Sequence, residues 1–419
     1  MKKPTLLLFS DCFTFGGSEY VVVNILRSSY IKSQYELHFA YREHKEYSYF
    51  VDKILGNVSD IYLHPLKIWS NGTLFHKINL RVSNKYIRYG LKLPMWLIAH
   101  SGLYEWNNKR VFKNFLRYQL HSVDLVHINN GGYPASESCL YFAICAKSLG
   151  IKNLMQINNG ALPAKINKRD LRVGNSVSLF VTATEFARKE LAANRHFDIN
   201  KITTLFNAVE TPTPCKNRSD VLQELSINPS CFVITEVALL EKRKGQIPFL
   251  KALLRLKEIN IKLYEKIVVV FVGNGEDEDL IKNFVKDNNL NNQVKLLGYR
   301  LDYIDIINAS DVYALPSLFD EDMPLSILSA MALSKPILST KLAGIPEEVE
   351  DGINGYLADP NSLTYNTDMA CLIDKIYNNR DKLGKASLER YNKLFSRDIY
   401  EKKLLGIYSD LIQSKNDGE

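Results

Sequence analysis

The chain has 419 residues, of which 46% are hydrophobic and 24% charged, and its formal net charge is +7. This length predicts two or three domains, because one hydrophobic core does not organise so long a chain. No apolar run approaches the roughly 18–20 residues of a membrane-spanning helix, and the six cysteines form no CxxC pair. These features count against an integral membrane protein, a disulfide framework and a zinc site, and they predict a cytoplasmic protein with reduced thiols.

A predicted strand at residues 5–9 opens the chain and leads into a glycine turn. Gly16 and Gly17 allow the backbone to approach a ligand closely, and a helix predicted over residues 19–29 follows them. The turn lacks the GxGxxG pattern of dinucleotide sites, and no phosphate-binding GxxxxGKS or GxxxxGKT pattern occurs in the chain. Because most Gly-Gly pairs are plain turns, this one does not identify a ligand by itself.

Residues 62–121 combine basic and aromatic side chains and contain a single acid, Glu105. The basic residues are Lys67, Lys77, Arg81, Lys85, Arg88, Lys92, Lys109, Arg110, Lys113 and Arg117, and the three tryptophans are Trp69, Trp96 and Trp106. This mixture is typical of a segment that lies on anionic lipid, and also of a nucleic-acid-binding face. It equally fits a domain core whose cations face the solvent. The composition leaves these interpretations open.

Strands and helices alternate beyond this stretch. Strands are predicted at residues 124–130, 153–157, 178–182 and 201–206, and a helix begins at Glu185. The strand at 153–157 runs directly into Asn158. Residues 211–229 indicate a linker with a short helix, and a strand at 231–240 begins a second domain.

A cationic turn follows that strand. It reads Glu241-Lys242-Arg243-Lys244-Gly245-Gln246, and a helix is predicted from there to about residue 257. Lysine charge together with helix N-terminal amides suits a bound diphosphate. The same residues also fit a solvated charged surface, so the turn alone leaves both interpretations open.

Two further strands are predicted at residues 267–272 and 294–297. The first is a continuous β-branched run, as in buried parallel sheets, and it ends in Gly273-Asn274-Gly275. We interpret this as a tight turn and not as a dinucleotide site, because no third glycine follows. The second strand ends in a turn that contains Tyr299.

The stretch 312–356 predicts a strand, an acidic loop, a helix and a second strand. Pro324 is predicted in the first turn of the helix, and the amides of Met323, Leu325 and Ser326 would then be open to a phosphate. Glu321, just before the helix, can accept hydrogen bonds from hydroxyl groups. This combination suits a ligand that carries both phosphate and sugar hydroxyls. The alternative is that the acids merely cap the helix.

This stretch resembles the signature of glycosyltransferase family 4. The matching residues, in order, are Pro316-Ser317, Glu321, Pro324, Ala330-Met331-Ala332, Gly344, Pro346-Glu347 and Asp351-Gly352. The resemblance implies the α/β GT-B fold, in which two Rossmann-like domains face each other across a cleft. The domains would be residues 1–209, on the acceptor side, and 210–396, which hold the nucleotide sugar. Residues 397–419 would form a helix and tail that cross back to the first domain.

The resemblance also implies transfer of a sugar from a nucleotide diphosphate sugar, with retention of configuration and without a metal or other cofactor. Glu321 and Lys244 would then be the catalytic residues, one orienting the donor sugar and the other stabilising the leaving diphosphate. The remaining donor contacts would be Gly16, Gly17, Asn158, Arg243, Tyr299, Met323, Pro324, Leu325, Ser326 and Ser329.

The expected partners are a nucleotide sugar and a glycolipid or oligosaccharide acceptor of a bacterial surface polysaccharide. Residues 62–121 would face an anionic membrane at the inner face of the cell membrane, and nucleic acid is not an expected partner.

Three residues depart from the family pattern at expected donor contacts. Asn158 stands in place of a histidine, Leu239 in place of an arginine and Ser329 in place of a glutamate. A catalytically silent partner subunit of an active transferase is therefore an alternative function. A nucleotide-sugar epimerase, which shares the fold, is a further alternative.

Overall fold

The computed structural model describes residues 3–11, 17–70, 78, 81–82, 84–120, 122–161, 163 and 167–416. The chain divides into two compact units. The first comprises Met1–Ala183, Arg188–Leu205 and Glu401–Glu419, and the second comprises Thr184–Ala187 and Phe206–Tyr400.

The first unit contains a parallel seven-stranded sheet. Its strands are β1 (Thr5–Ser10), β2 (Glu36–Arg42), β3 (Ile61–Leu66), β4 (Leu125–Asn130), β5 (Lys152–Ile157), β6 (Leu179–Thr182) and β7 (Ile202–Thr204), in the order β3-β2-β1-β4-β5-β6-β7. The central strand β1 is buried along its whole length, as its apolar sequence requires. Its residue Leu7 pairs with His38 on one side and with Val126 on the other.

Helices cover this sheet and connect its strands. They are Gly17–Arg27, Ser29–Gln34, Lys45–Leu55, Lys85–His100, Leu103–Asn114, Glu137–Ser148, Lys168–Ser176 and Glu185–Arg195, with a π-helical turn at Phe115–Gln119. The core packs aromatic rings closely, since the centroids of Phe9 and Phe142 lie 4.2 Å apart in a stacked pair.

The second unit contains a parallel six-stranded sheet. Its strands are β8 (Phe232–Val237), β9 (Ile267–Val272), β10 (Val294–Leu296), β11 (Val312–Leu315), β12 (Ile337–Thr340) and β13 (Gly355–Ala358), in the order β10-β9-β8-β11-β12-β13. Its helices are Arg218–Glu224, Gln246–Ile259, Ile261–Tyr264, Glu278–Asp287, Tyr303–Ala309, Leu325–Ala332, Ile345–Glu348 and Tyr365–Leu394.

The last helix, Arg397–Asn416, belongs to the first unit from Glu401 onward. Tyr408 on this helix is fully buried, and its hydroxyl lies 2.6 Å from Nδ1 of His127 on β4. The predicted return of the C-terminal helix to the first unit is therefore confirmed, as is the prediction of two parallel-sheet Rossmann-like units.

The strand order of the second sheet changes direction between β8 and β11. In open parallel sheets the loops at the carboxyl ends of such strands diverge and leave a crevice in which ligands bind. The cationic turn follows β8 and the acidic loop follows β11, so the fold brings both predicted features to this point.

One boundary differs from its prediction. Pro324 is the N-cap residue and the helix begins at Leu325, because the ψ of Pro324 is 115°, an extended value outside the helical range. Across the part of the chain that the structure describes, no helix is both long enough and apolar enough to cross a bilayer.

Candidate active site

The loops after β8 and β11 are joined through their backbones. The amide of Leu318 donates to the carbonyl oxygen of Arg243 over 2.7 Å. Gly245, in the loop after β8, has a φ of +78°. A Cβ at this position would lie 2.1 Å from the carbonyl oxygen of Pro316, in the loop after β11. Only glycine fits this position, because a side chain would be strained in the left-handed region and would also strike the neighbouring backbone.

Lys244 and Glu321, the two predicted catalytic residues, form an ion pair in this crevice. The ammonium group contacts Oε1 of Glu321, and the two side chains are only 10% and 8% exposed. Ser317 donates its hydroxyl to the same oxygen over 2.9 Å, and Nη1 of Arg243 lies 3.5 Å from it. These contacts stabilise the buried ion pair, because such a pair offsets the loss of its hydration only when further hydrogen bonds are formed.

The second carboxylate oxygen of Glu321, Oε2, differs from Oε1 in its hydrogen bonding. Oε2 accepts no hydrogen bond from the described residues, whereas every contact above falls on Oε1. An ionised carboxylate accepts hydrogen bonds at both oxygens. Oε2 therefore keeps capacity for a ligand hydroxyl.

The predicted arginine contact, Arg243, is held at the edge of the same crevice. Its Nε donates to Glu241 over 2.8 Å, and its Nη1 donates to the carbonyl oxygen of Asp320 over 3.2 Å. The guanidinium thus bridges the cationic turn and the acidic loop. The guanidinium has five N–H donors, which is more than these contacts use, so it can also donate hydrogen bonds to an anion.

Behind the ion pair lies a second carboxyl group, which the sequence analysis did not identify. Glu236 on β8 is fully buried, and Nε2 of Gln246 donates to its Oε1 over 2.8 Å. Burial raises the pKa of Glu236 well above its usual value, and the nearby charge of Lys244 opposes this shift. The signal in the sequence was an acid inside an apolar run, which predicts a buried carboxyl that must find partners.

The start of the helix Leu325–Ala332 is open, as predicted. Within the described residues the amides of Leu325 and Ser326 have no acceptor, while Ile327 donates to the carbonyl oxygen of Pro324 over 3.0 Å. Met323 is buried, and its Sδ accepts from the amide of Asn207 over 3.2 Å. Open amides and the helix dipole are the features that favour an anion at the start of a helix.

Ser329, on the same helix, forms a side-chain hydrogen bond within that helix. Its hydroxyl donates to the carbonyl oxygen of Leu325 over 3.1 Å, and the residue is 5% exposed. A serine that bonds to the preceding turn has its single proton committed. In this arrangement Ser329 presents no free donor to a ligand.

Two more buried acids adjoin Glu321, and neither was predicted as a site residue. Burial, with further contributions from Glu347 and Glu321, raises the pKa of Asp322 to about 7. Glu348 is fully buried, and its pKa is also raised by burial and by the charge of Glu321. The crevice therefore concentrates buried carboxyl groups around Glu321.

Tyr299 and Leu239 lie on neighbouring loops of the same sheet edge. Tyr299 follows β10 and is 69% exposed, and the preceding Gly298 accepts from the amide of Gly273 over 2.8 Å. Leu239 follows β8 and is 50% exposed. The structure thus places an aromatic ring and an apolar side chain on the surface beside the charged crevice.

The other predicted site residues belong to the first unit, and Gly16 lies outside the described residues. Gly17 opens its helix, and a Cβ there would meet none of the described atoms within 4 Å. Asn158 donates to Oδ1 of Asn129 over 2.7 Å, and its own Oδ1 is buried without a donor among the described residues. That oxygen is an unused acceptor that is closed to solvent. Among the residues that the structure describes, no three His, Cys, Asp or Glu side chains are arranged to hold a metal ion.

Comparison with known proteins finds a family model and relatives that match part of the chain. The family model of the glycosyl transferases group 1 matches residues 217–392. The Escherichia coli UDP-Gal:alpha-D-GlcNAc-diphosphoundecaprenol alpha-1,3-galactosyltransferase is 34% identical over 183 residues, which are 43% of this chain and 46% of that enzyme. The amylovoran biosynthesis glycosyltransferase AmsK of Erwinia amylovora is 33% identical over 135 residues, or 30% of this chain and 31% of that protein. The chain therefore spans about half or less of the length of these relatives.

Solved structures match the whole fold. HepE of Anabaena, crystallised in complex with UDP, superposes with a TM-score of 0.72 at 16% identity, covering 97% of this chain and 100% of that one. A glycosyltransferase of Rickettsia africae gives a TM-score of 0.74 at 17% identity, covering 98% and 99%. At this identity the likeness shows the fold, which is GT-B. Residues 217–392, within the second unit, are therefore similar to the glycosyl transferases group 1 family.

Proposed function

We propose that this protein is a glycosyltransferase that moves a sugar from a nucleotide diphosphate sugar to an acceptor of a bacterial surface polysaccharide. The observation that carries the proposal is the Lys244–Glu321 pair beside the open start of the helix Leu325–Ala332. A cation and free amides match a diphosphate, and an available carboxylate oxygen matches sugar hydroxyls.

In the proposed reaction an acceptor hydroxyl oxygen bonds to the anomeric carbon of the donor while the bond from that carbon to the diphosphate oxygen breaks. The electron pair stays on the diphosphate, and the hydroxyl proton passes to that leaving group. Lys244, Arg243 and the amides of Leu325 and Ser326 stabilise the growing negative charge. Glu321 orients the sugar through Oε2. Fixed charges of this kind act strongly because the crevice is already organised before reaction.

The relatives suggest which substrates to test first. HepE has been crystallised with UDP-glucose, and the E. coli enzyme is named for UDP-galactose and an acceptor on diphosphoundecaprenol. We therefore propose a UDP-sugar donor and a lipid-linked sugar diphosphate acceptor. Retention of configuration and independence of a metal are further parts of the proposal. Nuclear magnetic resonance of the product should show the anomeric configuration of the donor, and EDTA should leave the rate unchanged.

Calorimetric titration with a panel of UDP- and GDP-sugars is the direct test of donor binding. We expect one donor to bind the wild type and to bind at least tenfold more weakly to the Glu321→Gln variant. Glu258 is 64% exposed and has only a surface ion pair with Arg255, so Glu258→Gln is the matched control and should bind normally. A wild type that binds none of the donors would contradict the proposal.

A membrane-bound acceptor agrees with the surface of the first unit. Helix Lys85–His100 exposes apolar and aromatic side chains along most of its length, and helix Leu103–Asn114 adds others. These side chains are Tyr86, Ile87, Tyr89, Leu91, Leu93, Trp96, Leu97, Leu103 and Trp106, each between 48% and 82% exposed. No acid occurs between residues 84 and 104, where Lys85, Arg88 and Lys92 supply positive charge. We propose that this helical pair, residues 85–114, rests on anionic lipid.

The charge-reversal variant Lys85→Glu/Arg88→Glu/Lys92→Glu tests the membrane part separately. It should no longer sediment with anionic vesicles at low salt, because each cation near such a surface contributes about 1 kcal/mol. A control variant reverses Lys147, Lys251 and Lys385, three exposed lysines elsewhere in the chain. Equal sedimentation of the two variants would contradict membrane binding through this surface.

A silent partner subunit is the second candidate function, and Ser329 and Leu239 favour it. The hydroxyl of Ser329 is bonded within its own helix, and Leu239 presents no charge at the sheet edge. In that case the wild type would bind no donor, and transfer would appear only when an active transferase is added. The titration described above separates the two functions.

A further inference from the structure

The first unit has a groove of about 630 Å³ at the carboxyl ends of β2 and β3. Its walls come from the residues that follow β2, from the helix Lys45–Leu55 and from Lys67, which follows β3. This volume lies within the roughly 300–1,000 Å³ of small-molecule sites. The carboxyl ends of parallel strands are also where open α/β sheets bind ligands.

The charges in the groove are mixed and are not paired with one another. Glu43, Asp52, Lys45 and Lys67 are all exposed there, and none of them forms an ion pair with a described residue. Opposite charges that share a groove without neutralising each other remain available to a ligand that offers both hydroxyl donors and negative charge.

The groove also has an aromatic wall. The ring of Tyr49 is 60% exposed. Lys53 lies on the same helix, and its ammonium group is 6.0 Å from the centroid of the Tyr49 ring. An exposed ring face is negative and attracts the C–H groups on the flat side of a sugar. Carboxylates beside such a ring accept hydrogen bonds from the sugar hydroxyls. Ser48, one residue away, can both donate and accept.

The groove is connected to the exposed helical pair, residues 85–114. Trp69, two residues after Lys67, accepts at its carbonyl oxygen from Nδ2 of Asn108 over 3.0 Å and donates its amide to Oδ1 of Asn108 over 2.8 Å. Asn108 is buried on the helix Leu103–Asn114, whose outer side exposes Leu103 and Trp106. The segment that supplies Lys67 to the groove is therefore fixed to the helix that exposes Leu103 and Trp106.

We propose that this groove binds the sugar diphosphate of the acceptor. Tyr49, Glu43 and Asp52 would hold the sugar, and Lys45 and Lys67 would hold the diphosphate. The inference rests on the proposed function, and it assigns the acceptor to residues of the first unit that have no part in the Glu321 crevice of the second.

The test is calorimetric titration of the full chain with a short alkyl ester of α-D-GlcNAc diphosphate. The wild type should bind it, and Tyr49→Ala and Lys67→Glu should each weaken binding at least tenfold. The matched controls are Tyr30→Ala, a tyrosine 47% exposed on the helix Ser29–Gln34, and Lys147→Glu. Parallel titrations with free GlcNAc and with inorganic pyrophosphate separate the sugar part from the anion part. Tyr49→Ala should affect the first and Lys67→Glu the second.

Each outcome is decisive. Loss of binding in the groove variants with normal binding in the controls supports the inference. Equal binding by groove variants and controls overturns it, and so does a wild type that does not bind the ester. UDP titration of the same samples reports on the second unit, so failure of the acceptor site is distinguished from failure of the proposed donor chemistry. UDP should bind the groove variants as it binds the wild type.

Discussion

The second unit keeps charge in its interior, whereas the first unit keeps apolar side chains on its outside. In the crevice around Glu321, carboxyl groups and Lys244 are nearly or fully buried. On the helical pair 85–114, Tyr86 is 82% and Trp106 60% exposed. Both regions reverse the usual partition of polar and apolar groups in a soluble protein.

The two reversals are stabilised in different ways. Buried charge destabilises a fold unless each group finds a partner, and Oε1 of Glu321 has several within the unit. Exposed apolar surface needs no partner in the folded chain, but it gains free energy when something covers it. The first region is therefore a crevice whose charges are already paired within the folded chain, whereas the second is an apolar surface that remains exposed.

The largest expected effect comes from breaking the buried ion pair. Lys244→Ala should lower the rate of transfer about 100- to 1,000-fold, because it removes the main cation at the leaving group. Lys242→Ala, in the same turn but exposed, is the control and should retain activity. Initial rates with a saturating donor measure both. Equal rates for the two variants would contradict the role of Lys244.

The next effect concerns pH and Asp322, whose pKa is raised to about 7 by burial. Between pH 4 and 7 the folded state holds a proton that the unfolded state has released. Stability therefore falls as pH rises through this window, by roughly 3–4 kcal/mol. Asp322→Asn should flatten this dependence and keep the acceptor oxygen for the Thr184 hydroxyl.

Hydrogen exchange of the β8 and β11 amides at pH 5 and pH 8 measures the loss of stability. Tryptophan fluorescence is not suited to this measurement, because all three tryptophans lie between residues 69 and 106 of the first unit. The same pH dependence in wild type and variant would show that Asp322 is not the titrating group.

A smaller effect should come from Gly245→Ala, which tests how closely the two loops are joined. The variant combines left-handed strain with a collision against the carbonyl oxygen of Pro316. Gly150→Ala is a matched control, because Gly150 has a similar φ of +72° but nothing within 4 Å of an added Cβ. We expect Gly245→Ala to destabilise its unit by about 1–3 kcal/mol more than the control destabilises its own. Amide hydrogen exchange in each unit gives the comparison.

The smallest effect is expected on the outside of the first unit. Leu93 and Leu97 lie one helical turn apart and are 56% and 55% exposed. Changing both to Ser should weaken binding to anionic vesicles about tenfold, or roughly 1.4 kcal/mol. The loss should persist in high salt, which suppresses the contribution of the cations. Leu363→Ser, at a fully exposed leucine of the second unit, should change nothing.

Much of the fold follows from local pattern. The run at 267–272 is strand β9 to the residue, and the strand at 312–315 is also found as predicted. Continuous β-branched runs specify buried parallel strands regardless of their neighbours. The sequence pattern also predicts a helix over residues 366–382, and the observed helix is longer, running over Tyr365–Leu394. Its later turns are stabilised by packing that a local pattern does not record.

In the candidate site too, some features follow from the local sequence and others from the packing of the chain. The sequence by itself determined the motif around Glu321 and Pro324 and the cationic turn at Lys244, because both depend on residue types at fixed spacing. Only the tertiary structure decided that Lys244 and Arg243 meet the same oxygen of Glu321, that Glu236 lies buried behind them, and that the proton of Ser329 is used within its helix. Such contacts join residues up to 78 positions apart, and burial, which sets their strength, is a property of the packed chain and not of any segment of it.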